Sequence, residues 1–155
     1  MIKELSGLSS EEQELILRAP FLTCILIAGA DDEIDRKEIN KAIVIANKKV
    51  SKARPSLRAF YKEVSLDFED KIKILIQGYP HAAKKRNEMV INELSQLNLI
   101  WKKINHSFAT DLFHSLKEIA QLIAESSGGV LGIKSVGDEE EYYVDLPMIN
   151  EPGKN

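Results

Sequence analysis

Apolar positions along this chain recur at three- and four-residue steps, and no stretch alternates with period two for long enough to make a convincing strand. Ser9 and Ser10 stand three residues before Glu12 and Gln13, the spacing of a capping box. That predicts a helix starting near Glu11, with Leu15, Ile16 and Leu17 on its apolar side. Pro20 lacks a backbone donor and disfavours helix in the residue before it, so a kink or a fresh start is expected there. From Phe21 to Ala30 the chain is apolar on every side apart from Thr23, the pattern of a buried central helix. Ile39, Ala42, Ile43, Ala46 and Val50 predict a one-sided helix whose outer face carries Lys41, Lys48 and Lys49. Arg54-Pro55 ends it, and Pro55 suits the first turn of the next helix, which offers Leu57, Phe60, Tyr61 and Val64. Ser65 and Asp67 are candidate caps for a helix carrying Phe68, Ile72, Leu75 and Ile76, closed by Gly78-Tyr79-Pro80.

The second half is more regular. Ala83, Val90, Leu97 and Ile104 are spaced by seven, with Leu94 and Trp101 between them, which predicts one long helix from His81 to about Ile104. Asn105 and His106 break it. Ser107 begins a further helix with Leu112, Leu116, Ile119, Ala120 and Ile123 inward, stopped by Gly128-Gly129. A glycine-rich loop from Val130 to Gly137, with room for a short extended piece, leads to a short acidic helix near Asp138 to Asp145. Asn150 to Asn155 reads as a fraying tail. The expected fold is all-α: one compact bundle of about seven helices over residues 1–149, with 150–155 as a flexible C-terminal tail.

A length of 155 residues is enough for one domain with a real core. With 44% hydrophobic and 29% charged residues and a net charge of -3, nothing pulls the chain as a whole toward nucleic acid or anionic lipid. The longest apolar run falls far short of the roughly 20 residues of a membrane span, and the N-terminus has no basic-then-apolar signal design. An integral membrane protein is therefore not expected. Cys24 is the single cysteine, which excludes an intrachain disulfide, suits a reducing compartment and points to the cytoplasm. No His, Lys or Arg is close in sequence to activate it, so a buried structural thiol is expected.

Candidate chemistry concentrates in acid. Asp31, Asp35 and Glu38 stand at i, i+4 and i+7 around a short bend, and Asp35 with Glu38 has capping-box spacing. A helix start needs no metal and is the simpler reading; a hard cation held by carboxylates is the functional one. A whole EF-hand loop is rejected: its first and third positions would fall on Ile27 and Gly29, and Asp32 would stand where the tight turn takes glycine. The second cluster, Asp138-Glu139-Glu140-Glu141, again has capping-box spacing. Ile34 to Glu38 aligns with Val136 to Glu140, an aliphatic residue four places before a glutamate, so two such loops could share a cation in a pseudo-symmetric bundle. His81, His106 and His114 form no zinc-type pair, the Ser126 to Gly129 stretch lacks a phosphate-loop lysine, and Lys84-Lys85-Arg86 reads as a solvated first turn.

The segment Leu26 to Glu38, with Ala28-Gly29-Ala30-Asp31-Asp32-Glu33-Ile34-Asp35, resembles the first signature of the TerB-like (tellurite-resistance) family. Ala120 to Glu140, with Ala124, Ser127-Gly128-Gly129, Leu131-Gly132 and Glu140, resembles the second, and Leu146-Pro147-Met148-Ile149 resembles its small stand-alone bacterial branch. The resemblance runs from about Ser10 to Ile149. It implies a helical bundle with internal pseudo-symmetry whose two acidic loops lie together and bind a divalent metal, acting in stress-response and membrane-associated assemblies. The matching positions are Asp31, Asp35, Glu38 and Glu140. The family usually has glycine after the first aspartate; Asp32 here either adds a fifth carboxylate or spoils the turn.

The leading expectation is a non-enzymatic TerB-like interaction module binding calcium, magnesium or manganese, with an unidentified protein partner or a homodimer compatible with it. The competing expectation is a purely structural domain whose carboxylates are caps. A metal-dependent hydrolase ranks below both, because nothing in the chain supplies a nucleophile, an oxyanion donor or a third general base.

Overall fold

The computed structural model describes residues 2–29, 40, 44, 48, 52, 54–128 and 143–153. Among them every regular element is helical and no strand occurs. Five helices of eight residues or more are described: α1 (Ser10–Ala28), α2 (Arg58–Ser65), α3 (Phe68–Gly78), α4 (Ala83–Ser95) and α5 (His106–Gly128). Shorter helical turns lie at Lys3–Leu5, Pro55–Leu57, Leu97–Ile100 and Trp101–Lys103. Positions 40, 44, 48 and 52 are helical, and Lys48 and Lys52 are exposed.

α1 starts as the serine–glutamate spacing predicts. Ser9 N–H donates to Glu12 Oε1 at 3.0 Å and Glu12 N–H donates to Ser9 Oγ at 3.1 Å, a complete capping box. No fresh start occurs at Pro20: α1 runs unbroken through it to Ala28. A mid-helix proline costs about 3 kcal/mol in isolation. Here Pro20 is itself buried, and so is every residue from Ala19 to Ile27. Each buried aliphatic or aromatic side chain contributes about 1.5–3 kcal/mol, so the packing of the segment outweighs one lost hydrogen bond. Thr23, the one polar residue of that stretch, donates its hydroxyl to Ala19 O at 2.9 Å and so is satisfied within the helix.

α1 is the hub. It packs against α5, α4 and α2. The contacts fix the helix directions. Glu12, in the first turn of α1, pairs with Lys103 at 2.6 Å, just before α5 begins. Equal steps further along both segments, Cys24 lies within electrostatic reach of Tyr61, whose hydroxyl meets Ser115 Oγ at 2.6 Å. α1 and α5 therefore run in the same direction. α4 runs the other way: its early Arg86 meets Gly29 and its late Glu93 meets Arg18 at 3.5 Å. α2 presents Phe60, Tyr61 and Val64 to the core, with Leu57 in the turn before it, as predicted. In α5, Leu112, Leu116, Ile119, Ala120 and Ile123 are all buried.

Three further expectations need correction. Asp67 stands at the start of α3 but in the left-handed region (φ 51°) and its side chain caps nothing, while Ser65 bonds back to Lys62 O. The long second-half helix breaks at Gln96, whose N–H turns back to Glu93 O, and Ile104 is extended. The break sets Asn98 to grip the C-terminal segment: its side chain donates to Met148 O at 3.1 Å and accepts from Asn150 N at 2.7 Å. Asn150 consequently does not fray. Trp101 Nε1–H also donates to its carbonyl at 3.0 Å, and Leu146, Ile149 and Pro152 are buried. Lys117–Asp145 at 3.3 Å ties the same segment alongside α5.

Candidate functional site

The first acidic signature begins where α1 ends. Gly29 N–H closes the helix on Ile25 O at 2.8 Å, and the carbonyl of Gly29 accepts from Arg86 Nη2. Arg86 Nη1 also donates to His81 O at 3.2 Å. Lys84 and Lys85 are exposed, as a solvated first turn requires, but Arg86 is only 3% exposed. Its position explains why: it stands one helical step from Ala83 on the face that also buries Asn87, Val90 and Leu94. A guanidinium there complements the negative end of the α1 dipole.

Asp31, Asp32, Asp35 and Glu38 lie outside the described residues, and so do Glu140 and its neighbours Asp138, Glu139 and Glu141. The Val130 to Gly137 loop lies outside them too. Among the described residues no group of three His, Cys, Asp or Glu side chains is placed to hold a metal. As a donor set, the five carboxylates fit a hard, oxygen-loving cation and not a soft one.

The single thiol is structural. Cys24 is 2% exposed, and burial pushes its pKa well above the ordinary thiol range, which removes the thiolate that reactivity needs. Beside it, the buried Tyr61–Ser115 pair has a settled polarity. Ser115 Oγ–H is committed to Leu112 O at 2.8 Å, so Tyr61 is the donor and Ser115 Oγ the acceptor. Burial raises the Tyr61 pKa. Nearer the surface, Arg54 pairs with Glu118 and with Asp111 at 3.9 Å, and Ser56 donates to Asp111 at 2.7 Å, which ties the start of α2 to α5. These are groups that lock helices together. His81 and His106 are exposed, and His106 lies against Gly153.

The periodicity does not reveal a concavity that the helices enclose. A groove of about 600 Å³ lies between α1, α2 and α3, floored by Leu17, Phe21, Val64 and Leu75. Past Arg18, Ile74 and Leu75 it continues as a second hollow of about 360 Å³ toward Met89 on α4. Phe21 stacks on Phe68 at 4.6 Å near its floor. Tyr79 donates to Glu93 at its far end, where burial first and the carboxylate second raise the phenol pKa. No helix among the described residues is long and apolar enough to cross a membrane.

Comparison with protein-family profiles, curated proteins and solved structures finds no match to this chain.

Proposed function

We propose that this chain is a non-enzymatic, TerB-like helical domain of about seven helices with internal pseudo-symmetry. In this reading its two acidic loops hold a divalent cation through Asp31, Asp35, Glu38 and Glu140, with Asp32 as a fifth carboxylate, and the domain serves as a cytoplasmic interaction module. The observation that carries the reading is the common direction of α1 and α5. α1 ends at Ala28 within the first signature, and α5 ends at Gly128 within the second. The described ends of the two helices thus point the same way.

Chain geometry allows the loops to meet. Asp31 is two residues beyond Gly29, and Glu140 is five residues before Asp145, which is tied to Lys117 at 3.3 Å. Five residues reach at most about 17 Å when extended. Lys117 lies on α5 just past the level of Ser115, and so beside the last turn of α1.

The competing structural reading has its own support: Arg86 already supplies a cation at the end of α1. Thermal unfolding in chelator, then with calcium, magnesium or manganese, separates the two. A cation at a hundred times its Kd adds about 2.7 kcal/mol, a rise of about 5–10 °C in a domain of this size. The cation reading expects that rise, and its loss in both Glu38→Gln and Glu140→Gln. An unchanged midpoint with every ion refutes it and leaves the carboxylates as helix caps.

A further inference from the structure

The groove between α1, α2 and α3 lies on the first half of α1, from Glu14 to Phe21, away from the acidic end at Gly29. We propose that it is the docking site for an amphipathic helix of a partner protein, one that presents aliphatic side chains flanked by lysine or arginine. This proposal is independent of any cation at the acidic loops.

Three observations point to that occupant. The first is shape. Two hollows joined at Arg18, Ile74 and Leu75 make a trough and not a pit, bordered by helices along its length. A trough between helices is the shape that receives the apolar face of a further helix. The second is the apolar surface left in water. Ile74, on the ridge between the hollows, is 68% exposed, and Met89 at the far end is 46% exposed, side chains whose contact with water a docked apolar face would relieve. The third is charge. Glu14, Glu63 and Glu93 line the trough against two cations: Arg18, which pairs with Glu93 at 3.5 Å, and Lys71, whose Nζ donates to the neutral Glu63 carbonyl at 3.5 Å. The carboxylates of Glu14 and Glu63 have no ion-pair partner among the described residues. The trough as a whole therefore carries one more carboxylate than cation around an apolar floor, the complement of a basic amphipathic helix.

The test uses the full chain and two labelled synthetic helices of equal length, one of leucine and lysine and one of leucine and glutamate, followed by fluorescence anisotropy. The proposal expects the lysine helix to bind at least tenfold more tightly than the glutamate helix. Glu14→Lys with Glu63→Lys should reverse that preference, and Ile74→Asp should weaken the lysine helix at least tenfold. All these positions are exposed, so circular dichroism should be unchanged. Failure of both helices to bind overturns the proposal, as does equal binding that the charge reversal leaves untouched. A chain that sediments as a dimer and dissociates on Ile74→Asp also overturns it, because a second copy then covers the groove.

Discussion

Replacing either member of the buried Tyr61–Ser115 pair should destabilise the protein unequally, and the inequality follows from which oxygen holds the proton. Ser115 gives its hydroxyl proton to Leu112 O, so in Tyr61→Phe it keeps a partner and the loss is one net hydrogen bond, about 1 kcal/mol. In Ser115→Ala the Tyr61 hydroxyl, on a residue 2% exposed, is left without its acceptor, which costs about 2 kcal/mol. Those values correspond to midpoint losses of about 2–4 °C and about 4–8 °C. The double variant should cost no more than Ser115→Ala alone, since removing both partners leaves nothing unsatisfied. A pH series adds an independent readout. Burial raises the Tyr61 pKa above its ordinary 10.0, so the folded state keeps a proton that the unfolded chain releases. The contribution is intact below pH 10 and is lost as pH rises above it, with a slope approaching about 1.4 kcal/mol per pH unit. Cys24, raised from 9.0 by burial, adds the same sign of dependence from a lower onset. Tyr61→Phe should therefore lose less stability than the parent between pH 10 and 11 in urea melts. Single-variant losses that simply add, or a costlier Tyr61→Phe, would refute the assignment of donor and acceptor.

Two further perturbations probe the ends of the fold. Ser9→Ala removes half of the capping box and should cost about 1 kcal/mol in denaturant unfolding. Its partner Glu12 is held below its ordinary pKa of 4.5, first by Lys103 and then by Ser9, so its contribution is present above that value and is lost as pH falls through the folded one; Glu12→Gln should flatten the acid limb of the stability profile. Gly153→Ala should destabilise by about 1 kcal/mol or more, since φ there is +86° and a Cβ would come within 2.8 Å of His106 Cε1. Gly78→Ala is the control: a Cβ there meets nothing within 4 Å, at a helical position where alanine is favoured by up to about 1 kcal/mol.

What was legible in the sequence is what local rules determine. The capping box at Ser9, the inward set Leu57, Phe60, Tyr61 and Val64, and the stripe from Leu112 to Ile123 each follow from spacing within one element. Three misreadings have a different cause, since in each a tertiary contact overrides the local signal. Pro20 is carried through α1 by burial on all sides. The heptad from Ala83 to Ile104 is interrupted because Asn98 and Trp101 are claimed by the backbone of residues 148–150, a contact between segments some fifty positions apart. Arg86 hides among lysines in a basic run, and its burial shows only once α4 is laid antiparallel on α1. The groove belongs to no single element, so no periodicity announces it. The proposed cation ligands are the reverse case: spacing and resemblance both single them out, and they fall outside the described residues.

The burial of α1 also narrows where a binding function can reside. From Leu22 to Ile27 every residue of this helix is buried, so that stretch of the hub has no surface to offer. Its first half turns Glu14, Leu17 and Arg18 toward the groove, and its last turn delivers Gly29 to Arg86 at the opposite end. A cation gathered at the acidic end would add positive charge near a guanidinium that is already buried there, and like charges in such a setting weaken each other's binding. Only a site dense in carboxylates overcomes that opposition.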